Sequence, residues 1–477
     1  MSALPNPIHD QLAALRAGEC SARELTAAAL RAIDADTELN AFCATRPEAA
    51  LAEAEEADRR RARGEQAPLL GVPLAIKDDT DIAGEVTAFG TTGTFAPRTA
   101  DAEVVRRLRA AGAVVVGKTT TPELGQWPFT EGPAFGATRN PWNLAHTPGG
   151  SSGGAAAAVA AGLVGAAIGS DGAGSIRIPA AWTNLVGVKP QRGRISTWPE
   201  LEPFNGLVVI GPLARSVADA ALLLEALAGN HPQDRHRPPP FMRPLADAIV
   251  AGPGRLRIAL STRIPFSGPP ARLDGRIAAT VRRLADVLCT LGHDIEEADP
   301  AYGLVGLSFV PRSTAGVHQW ARRLGAQATF DPRTLHNART GRLLGGPVLA
   351  AARAMERPLR AQIGRIFRRF DVVLAPTTAQ PPPPIGTFDG LTNWQTDKRM
   401  IAACPYCWPW NVIGWPAVNV PAGFVEGDLP IGASLLGPAG SEPLLLALAA
   451  QLEALERWQC RRPPTDRGRM RIAGRAS

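Results

Sequence analysis

Lys77 closes an apolar run, Gly71-Val-Pro-Leu-Ala-Ile. Two glycine–hydroxyl clusters follow downstream: Thr147-Pro-Gly-Gly-Ser151-Ser152-Gly-Gly, and Gly169-Ser-Asp171-Gly-Ala-Gly-Ser175-Ile-Arg177. Glycine next to a hydroxyl lets backbone N–H groups converge on an anion or a developing oxyanion, because no Cβ blocks the approach. The same residues also read as two glycine-rich turns that cap the helix between them. Phosphate binding finds no support, since no Gly-Lys-Ser/Thr closes either cluster and no Gly-x-Gly-x-x-Gly follows a strand. Gly149-x-Ser151-x-Gly153 fits the nucleophile elbow of the α/β-hydrolases letter by letter. That elbow needs an apolar strand directly before it, and residues 139–148 read as a loop. None of the seven histidines (9, 146, 231, 236, 293, 318 and 336) stands in a recognisable triad context. A nucleophilic serine here needs another base, and lysine is one that serine hydrolases use.

With these motifs in order, the chain resembles the amidase signature family. The resemblance rests on Gly71-Val-Pro-x-x-x-Lys77-Asp78, on Gly-Gly-Ser-Ser-Gly-Gly at 149–154, and on Gly169-x-Asp-x-x-Gly-Ser175-Ile-Arg-Ile-Pro. Ser151 and Ser175 stand 24 positions apart, as in the family. Gly117-Lys-Thr-x-Thr-Pro-Glu123, Gly187-Val-Lys-Pro190 and the Gly-Pro-Leu-Ala-Arg core of 206–222 extend the match over about residues 10 to 460.

The resemblance implies a Ser/cis-Ser/Lys triad, with Ser175 as the acylated nucleophile, Ser151 as the bridging serine after a cis peptide and Lys77 as the base. The N–H groups from Gly172, Ala173 and Gly174 to Ser175 would form the oxyanion hole. Ser152 is expected to support the loop and Arg177 to pin it. Four positions depart from the family pattern, namely Ala155, Ala173, Trp182-Thr183 and Gln191, and none removes a catalytic atom. Ala173 keeps its N–H, provided that its φ is negative. Lysine with an ordinary pKa near 10.4 is neutral about once in a thousand molecules at pH 7.4, so the base needs a shift of about 3 units. Burial supplies shifts of that size.

Several elements must position these residues. Leucine, alanine and charged residues at helical spacing over 8–35 and 47–63 predict N-terminal helices, with Ser21 and Glu24 as a capping box. Strand 71–78, helix 101–111 and strand 113–116 imply an α/β layered sheet. Helices are expected at 155–162, 217–227, 273–291 and 442–455, and strands at 185–188, 256–260, 293–297, 372–375, 417–420 and 431–436. Residues 229–254, rich in proline, read as a surface connection. The expected fold is a single large α/β/α domain with a central mixed sheet. It divides into a helical lead over 1–66, a catalytic domain over 67–460 and a basic tail over 461–477.

The 477 residues, 45% hydrophobic and 20% charged, suit a globular protein with a large core. The net charge of +7 sits mostly in residues 457–477, which hold seven arginines against Asp466, so the body lacks a phosphate-binding face. No nucleic-acid or membrane partner is expected. The six cysteines show no framework spacing, and residues 1–20 lack the pattern of a secretory signal, so a cytoplasmic setting is expected. Cys404-Pro-Tyr-Cys407 resembles a redox dithiol, but Pro409 is expected to bar the helix that such a site opens, which leaves a packing role. Trp127, Trp408, Trp410 and Trp415 are candidates for the wall of an apolar, aromatic-tolerant pocket.

By resemblance, then, the chain hydrolyses a carboxylic amide, with no cofactor or metal and a small-molecule amide as its partner. The assembly is left open, with a homodimer as one form. Two alternatives stand beside this reading. One is the glutamine-amidotransferase subunit that acts on misacylated tRNA, and the other is a non-catalytic binding protein on the same fold.

Overall fold

The computed structural model describes residues 7–265, 270–425 and 428–464. Eleven strands form one twisted sheet. In chain order they are β1 (Phe42–Thr45), β2 (Pro73–Lys77), β3 (Val114–Thr119), β4 (Ala166–Asp171), β5 (Val186–Lys189), β6 (Val209–Ala214), β7 (Arg257–Leu260), β8 (Asp294–Glu297), β9 (Val372–Pro376), β10 (Ala417–Val425) and β11 (Leu429–Leu436). Their order across the sheet is β1-β3-β2-β4-β6-β5-β10-β11-β9-β7-β8. The sheet is mixed. β2 runs parallel to both β3 and β4, β7 is parallel to β8 and β9, and the other neighbours are antiparallel.

Alternation along the strands builds two apolar layers, because successive side chains point to opposite faces. Leu74, Ile76, Val115, Ala166 and Ile168 turn to one side, where the helices Val217–Leu227, Gly275–Thr290 and Glu442–Glu456 cover them. Ala75, Val114, Val116 and Ala167 turn to the other side, under the N-terminal helices and the alanine-rich helix Gly153–Ala161. With both faces covered, the central strands read as apolar runs.

Most of the expected elements stand within two or three residues of where the sequence puts them, and Ser21 and Glu24 form the capping box on helix Ala22–Ala35. Phe42–Thr45, within the expected helical lead, pairs with β3 as the edge strand of the sheet. The connection after Gly229 carries a short helix, Leu245–Ala251. Arg461 lies over the Phe424 ring, 5.1 Å from its centroid, and Pro463 is buried, so the first residues assigned to the tail pack on the body. The rest of that tail, 465–477, lies outside the described residues.

Helix Trp408–Ile413 corrects one expectation. Pro409 sits in its first turn, where a missing N–H costs no hydrogen bond, so the helix forms in spite of the proline. Cys404 and Cys407 precede it, packed with Ile178, Ala181 and Trp182. Burial pushes both thiols up, Cys407 to about 11, which is the opposite of a reactive dithiol. The packing role therefore rests on burial and not on the proline.

Candidate active site

β2 and β4 are parallel neighbours, with Ile76 opposite Ile168, so their carboxyl ends emerge side by side. Lys77 ends one strand and Asp171 the other. That is where open α/β sheets collect functional groups. The loop 147–152 crosses above them and leads into helix Gly153–Ala161. Gly150 passes so close to the backbone of 127–129 that a Cβ there would come within 2.6 Å of the Trp127 carbonyl oxygen. The peptide bond between Gly150 and Ser151 is cis.

This layout puts Lys77 Nζ 2.7 Å from Ser151 Oγ and 2.8 Å from Ser170 Oγ, within hydrogen-bond reach of both. Lys77 is 1% exposed, and burial pulls its pKa below the usual lysine value, against the charges of Asp79 and Asp171. Ser175 is 8% exposed and faces the same cleft as Ser151, and its hydroxyl makes no hydrogen bond among the described residues. The backbone joins the two serine segments, because Ser152 N–H donates to the Ser175 carbonyl at 3.1 Å. Ser152 Oγ in turn bridges the Ser170 carbonyl and amide at 3.2 and 3.3 Å, a supporting role within the loop.

Asp171 organises the turn that carries Ser175. Its carboxylate accepts the amides of Gly174 at 2.8 Å and Ile176 at 3.2 Å, both forks of Arg177 at 2.9 Å, and Asn411 Nδ2 at 2.8 Å. Burial alone would raise this carboxyl. The charge and hydrogen bonds of Arg177, with the Lys189 charge, outweigh it and hold the pKa below the usual carboxylate range. Arg177 also reaches the Cys407 carbonyl at 3.1 Å and Asn411 Oδ1 at 2.7 Å, so it pins the turn to helix Trp408–Ile413.

The Gly174 amide, one of those expected to face an oxyanion, donates to Asp171 Oδ1 at 2.8 Å. Gly174 instead lets the turn close, since its φ is +124° and a Cβ there would meet Cys407 Cβ at 2.6 Å. Ala173 is not among the residues with positive φ, so its amide keeps an unstrained geometry.

The cleft has a volume of about 220 Å³. Trp127 and Trp408 line it, while Trp410 is buried behind it and Trp415 packs over Gly364. Phe89, Phe204, Phe309 and Trp320 complete an apolar wall. Two ion pairs border the cleft, Arg98 with Asp81 and Arg323 with Glu200, and the Asp79 carboxylate lines it beside the Lys77 amine. Among the described residues, no three His, Cys, Asp or Glu side chains gather as a metal site. No described helix is long and apolar enough to cross a membrane.

The sequence model described as Amidase matches residues 24–446. The protein AmiA2 of Mycobacterium tuberculosis (strain ATCC 25618 / H37Rv) is 57% identical over 456 residues, which are 95% of this chain and 94% of that protein. The solved structure of 6-aminohexanoate cyclic dimer hydrolase superposes with a TM-score of 0.86 at 33% identity, covering 97% of this chain and 99% of the other. Native peptide amidase from Stenotrophomonas maltophilia gives a TM-score of 0.80 at 31% identity, covering 96% and 98%.

Proposed function

This chain belongs to the amidase signature family, and on that premise we propose that it hydrolyses a neutral, apolar carboxylic amide through an acyl-enzyme on Ser175. The observation that carries the reading is the buried Lys77 Nζ, 2.7 Å from Ser151 Oγ, at the base of a cleft that Ser175 also lines. Neutral Lys77 takes the Ser151 proton while Ser151 takes that of Ser175. Ser175 Oγ then bonds to the carbonyl carbon, and the π pair moves onto oxygen. The amides of Gly172, Ala173 and Ser175 face that charge, where preorganised donors are worth several kcal/mol (about 3 for one donor).

Collapse of the tetrahedral intermediate returns the proton by the same path to the leaving nitrogen. Water then enters by that path to release the carboxylate. An anionic substrate would find no free cation in the wall, since Arg98 and Arg323 already hold partners, which disfavours a negatively charged acyl group. The aromatic lining favours a bulky acyl group, because rigid rings offer large contact area at little entropic cost.

Six cysteines without disulfides suit a reducing compartment, and a cytoplasmic location is proposed on that ground. The experiment that tests the reaction is partitioning. A phenyl-bearing anilide turned over in hydroxylamine should give hydroxamate alongside carboxylate at the same rate of aniline release. Carboxylate alone, at every hydroxylamine concentration, would mean direct attack by water and no acyl-enzyme.

A further inference from the structure

Lys77 has a neighbour that the triad does not include. Asp79 stands two residues beyond it, and its Oδ2 lies 3.2 Å from Lys77 Nζ. The same oxygen accepts a 2.5 Å hydrogen bond from Ser170 Oγ, and Ser170 Oγ accepts from Lys77 Nζ at 2.8 Å. A closed ring of lysine, serine and carboxylate therefore forms on the side of Nζ not used by Ser151. The Asp79 side chain is 20% exposed and lines the cleft, so its carboxylate borders the space in which the reaction runs.

We infer that Asp79 is a positioning residue that holds Lys77 toward Ser151 and stabilises the lysine ammonium formed when the relay takes up its proton. The inference rests on the proposed role of Lys77 as base. No proton moves to Asp79. When Ser175 Oγ bonds to the electrophile, one proton passes from Ser175 to Ser151 and one from Ser151 to Lys77, and the new positive charge appears 3.2 Å from an existing negative one. A base buried with no counter-charge would be neutral but weak, because its conjugate acid would be stranded in a low-dielectric site.

The carboxylate thus sets a compromise between a lysine that is free to accept and one that is strong enough to do so. The groups that bear on Nζ are Asp79, Ser170 and Ser151 in contact, and Asp171 through its charge. Asp79 is itself touched by Thr80, whose Oγ1 is 3.2 Å from Oδ1. Asp78, between the two in sequence, faces away to Lys118 at 2.8 Å and takes no part.

The test is the pH dependence of Ser175 phosphonylation by a fluorophosphonate. That reaction expels fluoride and needs no protonated leaving group, so its acid limb reports Lys77 alone. Asp79→Asn keeps the shape and removes the charge. Its acid limb should move to lower pH by about 1 to 2 units, the usual effect of one adjacent charge, while its plateau rate falls. Asp79→Glu should restore most of the wild-type profile, and Ser170→Ala, which keeps the charge, should move the limb less than Asp79→Asn.

An Asp79→Asn profile that superposes on wild type, with Lys77→Ala unlabelled, would overturn this inference and leave the base in place. Labelling of Lys77→Ala at the wild-type rate would overturn the base itself. A rate lost equally at every pH, with an unmoved limb and a lowered melting temperature, would reduce Asp79 to a structural role and would also count against the inference.

Discussion

Asp171 Oδ1 accepts the Gly174 amide at 2.8 Å while both of its oxygens are forked by Arg177, so one buried ion pair shapes the turn that presents Ser175. Neither Asp171 nor Arg177 is exposed at all. Breaking a buried pair by removing one partner leaves a charge without compensation and costs about 3–5 kcal/mol. Asp171→Ala should therefore lower the melting temperature by a few degrees, about 3–5 °C for a chain of this length, and abolish Ser175 labelling together. Arg177→Met should do the same, and a double mutant should lose less than the sum of the two. Thermal melts and labelling of all three variants check this, and additive losses would mean that the two residues act independently.

Gly174 is expected to tolerate no side chain. Both its φ of +124° and the 2.6 Å approach to Cys407 Cβ oppose alanine. Gly174→Ala should be destabilised by at least about 1 kcal/mol from backbone strain alone. It should also displace the Ser175 amide. A denaturant midpoint and a labelling rate equal to wild type would show that the turn is looser than its contacts indicate.

Lys189 gives a stability prediction with a definite sign. It is fully buried, and burial first, then the Arg177 charge, pull its pKa down to about 7. Between pH 7 and the unfolded lysine value near 10.4, the unfolded chain binds more protons than the folded one, so stability rises with pH across that window. Lys189→Met should lose part of this slope and be relatively more stable near pH 7 than at pH 10. Chemical denaturation at several pH values measures it, and parallel curves for the two proteins would contradict the assignment.

The aromatic cleft predicts selectivity. Trp408 and Trp127 both line it, and Trp127 also lies under the Arg333 guanidinium at 4.7 Å. A phenyl-bearing amide should be hydrolysed at least tenfold more efficiently than acetamide. Trp408→Ala should reduce that ratio mainly through the bulky substrate. The kcat/KM values for the two amides decide the point, and equal efficiency in the wild type would remove the argument from the lining.

Much of this site was legible in the sequence because its parts are local. Lys77, Ser151 and Ser175 each lie within a motif whose spacing survives without tertiary information. The ring around Lys77 is different: Ser170 and Asp79 are 91 residues apart and meet only because β2 and β4 are parallel neighbours. The Gly174 amide could not be assigned either, since the direction in which an N–H points is a property of the fold. Among the strands, Leu74 and Ile76 announce β2 by their run of apolar residues. β6 hides behind Gly211 and Pro212, which count against a central strand until the partners, Gly169 and Ile168, are known. The helix Gly306–Leu324 is masked in the same way by Pro311, although Trp320 on it reaches the cleft.

In the proposed mechanism Ser175, activated through Ser151 by a neutral Lys77, is the nucleophile. The pKa of Lys77 is lowered by burial, so labelling should already proceed at neutral pH and fall on acidification as the amine takes up its proton. The most direct measurement is peptide mass mapping after reaction with a fluorophosphonate at pH 8, with Lys77→Ala and Ser175→Ala run in parallel. One adduct is expected, on Ser175, and none in either variant. An adduct on Ser151 or Ser152, or full labelling of Lys77→Ala, would contradict it.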